Sequence, residues 1–102
     1  MLFRRGRFHE LASRQLDLFA DDEQALLSEA AAADTAFTRS ARDEAEEAYG
    51  DWQLVADTIA ERLLDLREGY ARTLDEGTAA EYRAAFDRLA RRRFPRFTEL
   101  LG

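Results

Sequence analysis

Two clusters of arginine and aromatic residues are the features of this sequence best suited to contact a ligand. The C-terminal cluster consists of Arg91, Arg92, Arg93, Phe94, Arg96 and Phe97. The N-terminal cluster consists of Phe3, Arg4, Arg5, Arg7 and Phe8. Arginines interleaved with aromatic rings are typical of surfaces that contact phosphates and stack on bases. The four C-terminal arginines are therefore candidate anion contacts.

The charge of the remaining chain opposes nucleic-acid binding. The formal net charge is −6, and residues 17–81 carry eighteen acidic residues against five arginines. Residues 1–16 and 82–102 are both net positive. Because an acidic body repels a polyanion beyond the basic patches, nucleic acid is the less favoured partner. We expect the terminal arginines to lie along the acidic middle of the chain instead.

Side chains able to support catalysis are few and form no recognisable motif. His9 is the only histidine, and cysteine is absent, which excludes thiol nucleophiles and thiolate metal sites. No serine lies in a nucleophile elbow, and the sequence has no glycine-rich phosphate loop. The Glu and His pair at a spacing of three, typical of diiron bundles, does not occur. We predict no enzymatic activity, no catalytic residue, no metal site and no cofactor.

The strongest structural signal is an apolar stripe in the middle of the chain. Its positions are separated alternately by four and three residues, which places them on one face of a long helix. The stripe consists of Ala45, Tyr49, Trp52, Ala56, Ile59, Leu63, Leu66 and Tyr70. Flanking apolar residues make the face wider than a two-stranded coiled coil requires, which favours a bundle. A helix over residues 39–74 would be about 50 Å long.

Carboxylates follow the other side of this helix. They include Glu47, Asp51, Glu61, Asp65 and Glu68. Because surface helices commonly carry charges opposite their apolar face, these side chains are predicted to form a solvated surface. Leu54 and Leu64 are apolar exceptions outside the stripe, and they indicate that a partner covers part of this surface.

The flanking segments predict three further helices. Residues 7–20 have helical apolar spacing, and Asp21 or Asp22 followed by Gln24 predicts the cap of a second helix, with one continuous bent helix as the alternative. The pattern weakens at residues 34–38. Gly77 is predicted to end the long helix and Thr78 to cap the last one, in a capping box with Glu81. Pro95 should end or kink that helix.

These elements predict an all-α fold: an antiparallel bundle of about four helices with one long central amphipathic helix. A chain of 102 residues suffices for one domain, residues 1–102, with a basic arm at 1–6 and a short tail at 95–102. No apolar run approaches the roughly 20 residues of a membrane span, and the N-terminus lacks the apolar middle of a signal peptide. We expect a cytoplasmic protein without membrane contact. Since all 15 basic residues are arginine, the composition indicates a GC-rich bacterial source.

The long helix offers more apolar surface than short neighbours can cover, which predicts a protein-interaction or scaffolding role and a homodimer. Coverage by the same chain, with the first two helices end to end against the long one, is the alternative. The predicted interface consists of Tyr49, Trp52, Val55, Ile59, Leu63, Leu66 and Tyr70. Another protein is a possible partner. The alternative function is a nucleic-acid-associated regulator that uses the terminal arginines.

Overall fold

The computed structural model describes residues 6–98, which form four α-helices and, within that range, no β-strand. The helices are α1 (His9–Asp22), α2 (Gln24–Arg39), α3 (Ala45–Ala71) and α4 (Glu76–Arg93). Helix α3 has 27 residues, or about 40 Å at 1.5 Å per residue. It packs against both α2 and α4, while α1 packs mainly on α4. The prediction of an all-α four-helix bundle with a long central helix is confirmed.

A single residue, Glu23, separates α1 from α2. Its amide donates to the carbonyl of Phe19 at 2.8 Å, and its carbonyl accepts from the amide of Leu27 at 2.9 Å. The helical hydrogen bonds therefore continue almost unbroken through the joint, and no side chain caps α2. The predicted cap at Asp21 or Asp22 is wrong, because these continuing bonds leave few free amides for a carboxylate to accept from.

The core lies where α1, α3 and α4 meet. Its most deeply buried large side chains are Leu16, Ile59, Leu63, Tyr82 and Phe86. The Tyr82 hydroxyl donates to Gln15 Oε1 at 2.6 Å, so its polar end is satisfied inside the core. Burial raises the pKa of this phenol to about 12, because the phenolate would lose its hydration.

A charged network joins α3 to α4. Arg67 donates to Asp87 at 2.8 Å and to Glu68 at 2.9 Å, and Arg83 donates to both carboxylate oxygens of Glu68 at 2.8 Å. The hydrogen bond from Arg83 is the largest cause that lowers the pKa of Glu68, to about 2. Glu68 therefore belongs to the contact between the two helices, whereas the sequence predicts it on a solvated face.

The turn between α3 and α4 differs from its prediction by three residues. Helix α3 ends at Ala71, and the cap of α4 is Asp75. Asp75 Oδ1 accepts from the Thr78 amide at 3.0 Å, and Oδ2 accepts from the Thr78 hydroxyl at 2.9 Å. The predictions that Gly77 ends α3 and that Thr78 caps α4 are therefore wrong, since Asp75 supplies the better acceptor earlier in the chain.

Candidate protein-interaction surface

The predicted interface stripe on α3 is divided between the core and the surface. Ile59 and Leu63 are 0% exposed and belong to the core of the same chain. Trp52, Val55, Leu66 and Tyr70 are half-buried. Tyr49 is exposed and packs edge-on against Phe37 of α2, with ring centroids 5.4 Å apart. Much of the stripe therefore packs against other helices of the same chain.

A separate groove lies between α2 and the first half of α3. Its volume is about 530 Å³, and it is lined by Glu29, Ala32, Ala33, Ala36, Ala48, Asp51, Leu54 and Val55. No residue of α1 or α4 is among them. Leu54 is 69% exposed, the most exposed large apolar side chain of the described residues. The groove is thus open and mostly apolar, and Leu54 is its most exposed large apolar residue.

Alanine gives this groove its shape. Helix α2 is rich in alanine, which favours the helix and leaves little side-chain volume along its surface. The residues at 29, 32, 33 and 36 recur at helical spacing on one side of α2. The only buried residue of α2 is Ala30. One side of this helix therefore packs against the rest of the protein, and the other side is exposed.

Acidic residues line the groove and are frequent in the sequence beside it. Glu29 and Asp51 line it, and four more acidic residues immediately precede α3 or lie in its first turn: Asp43, Glu44, Glu46 and Glu47. Within residues 6–98, none of these six carboxylates forms an ion pair. Arg39 and Arg42 are the nearest basic residues in the sequence, and neither lines the groove. The groove therefore presents uncompensated negative charge.

The other side of the α2–α3 pair is covered by the segment after α4. Helix α4 ends at Arg93, before Pro95, and the ring of Phe94 packs 5.6 Å from that of Phe19. Arg96 pairs with Asp34 of α2 at 3.0 Å and lies over the Trp52 ring of α3 at 4.7 Å. A cleft of about 310 Å³ persists beside these residues. Leu100 and Leu101 of the predicted tail lie outside the described residues.

The candidate anion contacts are only partly available. Arg93 forms an ion pair with Asp17 of α1, and Arg96 forms one with Asp34. Arg91 and Arg92 are exposed and make no ion pair within the described part of the chain. In the N-terminal cluster, Arg7 pairs with Glu81 at 3.2 Å, while residues 3–5 fall outside the described range. Three terminal arginines thus lie along acidic residues of the same chain.

Between residues 6 and 98, no three or more His, Asp and Glu side chains are grouped so that they could hold a metal ion. His9 is half-buried at the start of α1. In the same range, no helix has the length and apolar character required to cross a bilayer.

Of the residues that line the groove, Leu54 could be singled out from the sequence, whereas the alanines of α2 could not. The position of Leu54 outside the predicted stripe predicts that a partner covers it. The alanines of α2 carried no such signal, because alanine has the highest helix propensity and occurs in helices whether or not its side chain is buried.

Comparisons of the chain with models of protein families, with curated proteins and with solved structures find no match.

Proposed function

We propose that this protein is a helical protein-interaction module and that the α2–α3 groove receives a segment of its partner. The supporting observation is the open, mostly apolar lining of the groove, in which Leu54 is 69% exposed. Apolar surface of this kind on a folded protein is typical of interaction sites. Burying the Leu54 side chain would contribute roughly 1.5–3 kcal/mol to binding.

The arrangement of the two helices favours a helical partner segment. Antiparallel helices leave a lengthwise groove between them, and alanines along it permit a third helix to approach within about 8–10 Å. A helix placed there would complete a small bundle with α2 and α3. The same mode of recognition operates wherever an amphipathic helix lays its apolar face into a groove.

Self-association is one form of this proposal. Because Ile59 and Leu63 are buried in their own chain, a homodimer would have to use exposed neighbours, such as Tyr49 and Leu54. The partner segment would then come from a second copy. The functional proposal holds for either source of the segment.

Site-specific photo-crosslinking in the native host tests the proposal. A photo-reactive amino acid replaces Leu54 in one variant and Gln53 in a matched control; Gln53 is also exposed but does not line the groove. We expect a defined adduct from position 54 and none from position 53. An adduct of twice 11.7 kDa indicates a second copy, and any other discrete mass indicates a different protein. Equal labelling at both positions, or none, would refute the proposal.

A further inference from the structure

We infer that the segment received by the α2–α3 groove is an amphipathic helix with basic flanks, supplied by a different protein. This inference rests on the proposed function and adds the chemistry of the partner. It follows from the apolar floor of the groove together with the acidic residues around it. The apolar stripe of the partner would cover Leu54 and Val55, and its basic residues would meet Glu29 and Asp51.

The unpaired carboxylates carry the argument for basic flanks. A partner that covers Glu29 and Asp51 removes water from both side chains, and neither has an ion-pair partner in the described chain to compensate. Arginine or lysine at the edges of the partner helix would pair with them. The other acidic residues at the start of α3 would attract such a segment from a distance and raise its association rate.

The same charges disfavour a second copy that uses the same face. In a symmetric pair, each copy would bring Glu29 and Asp51 towards the equivalent residues of the other. Like charges placed together across an interface oppose association. The exposed side of α4 is basic at Arg88 and Arg91, but its neighbouring apolar residues are Ala80 and Ala84, too small to cover Leu54 well.

The groove also defines the size of the segment. Its lining runs from Glu29 to Ala36 on α2, about 12 Å along the helix. A partner helix of about 18 residues would cover this length and extend at least one turn beyond each end. Large apolar residues at spacings of three and four would form its contact face.

Two peptides of opposite charge provide the test. Each has about 18 residues with leucines at helical spacing; one carries arginines beside the leucines, and its twin carries glutamates at the same positions. Fluorescence anisotropy measures the binding of each peptide to the full-length protein. We expect micromolar binding of the basic peptide, weakened by salt, and at least tenfold weaker binding of the acidic twin.

Two double variants separate contact in the groove from general attraction. Glu29→Arg with Asp51→Arg should reverse the preference between the peptides. Asp21→Arg with Asp65→Arg changes the net charge equally at exposed positions outside the groove, so it should retain most of the basic peptide's affinity. Equal losses in both variants would overturn the inference. Leu54→Ala, which keeps the charge, should also weaken binding, by about fivefold or more.

The remaining outcomes are equally decisive. Failure of the basic peptide to bind, while position 54 still crosslinks in cells, would reject the basic helix and leave the interaction module standing. Crosslinks absent from position 54 would reject the proposed function itself. Dimers of the protein alone in sedimentation, dissociated by the basic peptide, would assign the groove to a second copy and overturn the inference.

Discussion

The guanidinium of Arg96 lies over the ring of Trp52, 4.7 Å from its centre. The same guanidinium pairs with Asp34 of α2 at 3.0 Å. One side chain after Pro95 thus contacts both α2 and α3, on the side of the pair opposite the groove. Arg96 therefore fastens the end of the described chain across the two helices.

Replacing Arg96 with alanine should loosen this segment. A cation–π contact at an exposed site contributes about 0.5–1 kcal/mol, and a surface ion pair about 0.2–1 kcal/mol. We expect a stability loss of about 1 kcal/mol and a shift of tryptophan emission to longer wavelength. Trp52 is the only tryptophan, so emission reports this site alone. Arg91→Ala removes an exposed arginine without an ion pair and is the control; it should change neither the stability nor the emission wavelength. Unaltered emission in Arg96→Ala would contradict the contact between Arg96 and Trp52.

The long helix was predictable because its signal repeats. Apolar residues at alternating spacings of four and three specify one helix face independently of tertiary context. Ile59 and Leu63 on that face are fully buried, although by helices of the same chain. Periodicity identifies which side of a helix is covered. It does not identify whether the cover comes from the same chain or from another.

Helix ends and the groove were less accessible from sequence. Both Asp75 and Thr78 are good cap residues, and the choice between them depends on where α3 stops. The role of Glu68 depends on Arg83, fifteen residues away and adjacent only after α4 folds back. The groove exists because α4 does not cover this side of α2 and α3. The contact of Glu68 and the groove are tertiary features, and no local pattern encodes them.

Two substitutions at Asp75 test whether its side chain stabilises α4 as the N-cap. Asp75→Ala removes the oxygen that accepts from the Thr78 amide and should lower the unfolding temperature by several degrees. Asp75→Asn keeps an acceptor oxygen and should remain close to the unmodified protein. Thermal unfolding by circular dichroism measures both. Equal unfolding temperatures for the alanine and asparagine variants would show that the hydrogen bond does not stabilise α4.

The Glu68 network predicts a loss of stability in acid. Hydrogen bonds from Arg83 and Arg67 lower the pKa of Glu68 from 4.5 to about 2. Since the folded-state pKa is below the unfolded one, the contribution is fully present above about pH 4.5 and is lost as the pH falls towards 2. Glu68→Gln should flatten this part of the profile of unfolding free energy against pH. Glu61→Gln changes an unpaired carboxylate of the same helix and should leave the profile unaltered; matching profiles for the two variants would contradict the assignment.

Because acidic residues of the same chain engage several terminal arginines, we predict that the protein does not bind nucleic acid at physiological salt. In the C-terminal cluster, Arg93 and Arg96 are engaged with acidic residues of the same chain, which leaves Arg91 and Arg92 for phosphate contacts. Two phosphate contacts give only a weak interaction, which salt reduces and the acidic surface opposes further. Anisotropy with labelled single- and double-stranded DNA and RNA at roughly 150 mM salt should show no binding at micromolar protein. The double variant Arg91→Ala with Arg92→Ala tests these contacts, and replacement of the exposed Arg14 and Arg72 by alanine is its control. If the protein binds at micromolar concentration, and only the first double variant loses that binding, the nucleic-acid regulator is favoured over the interaction module.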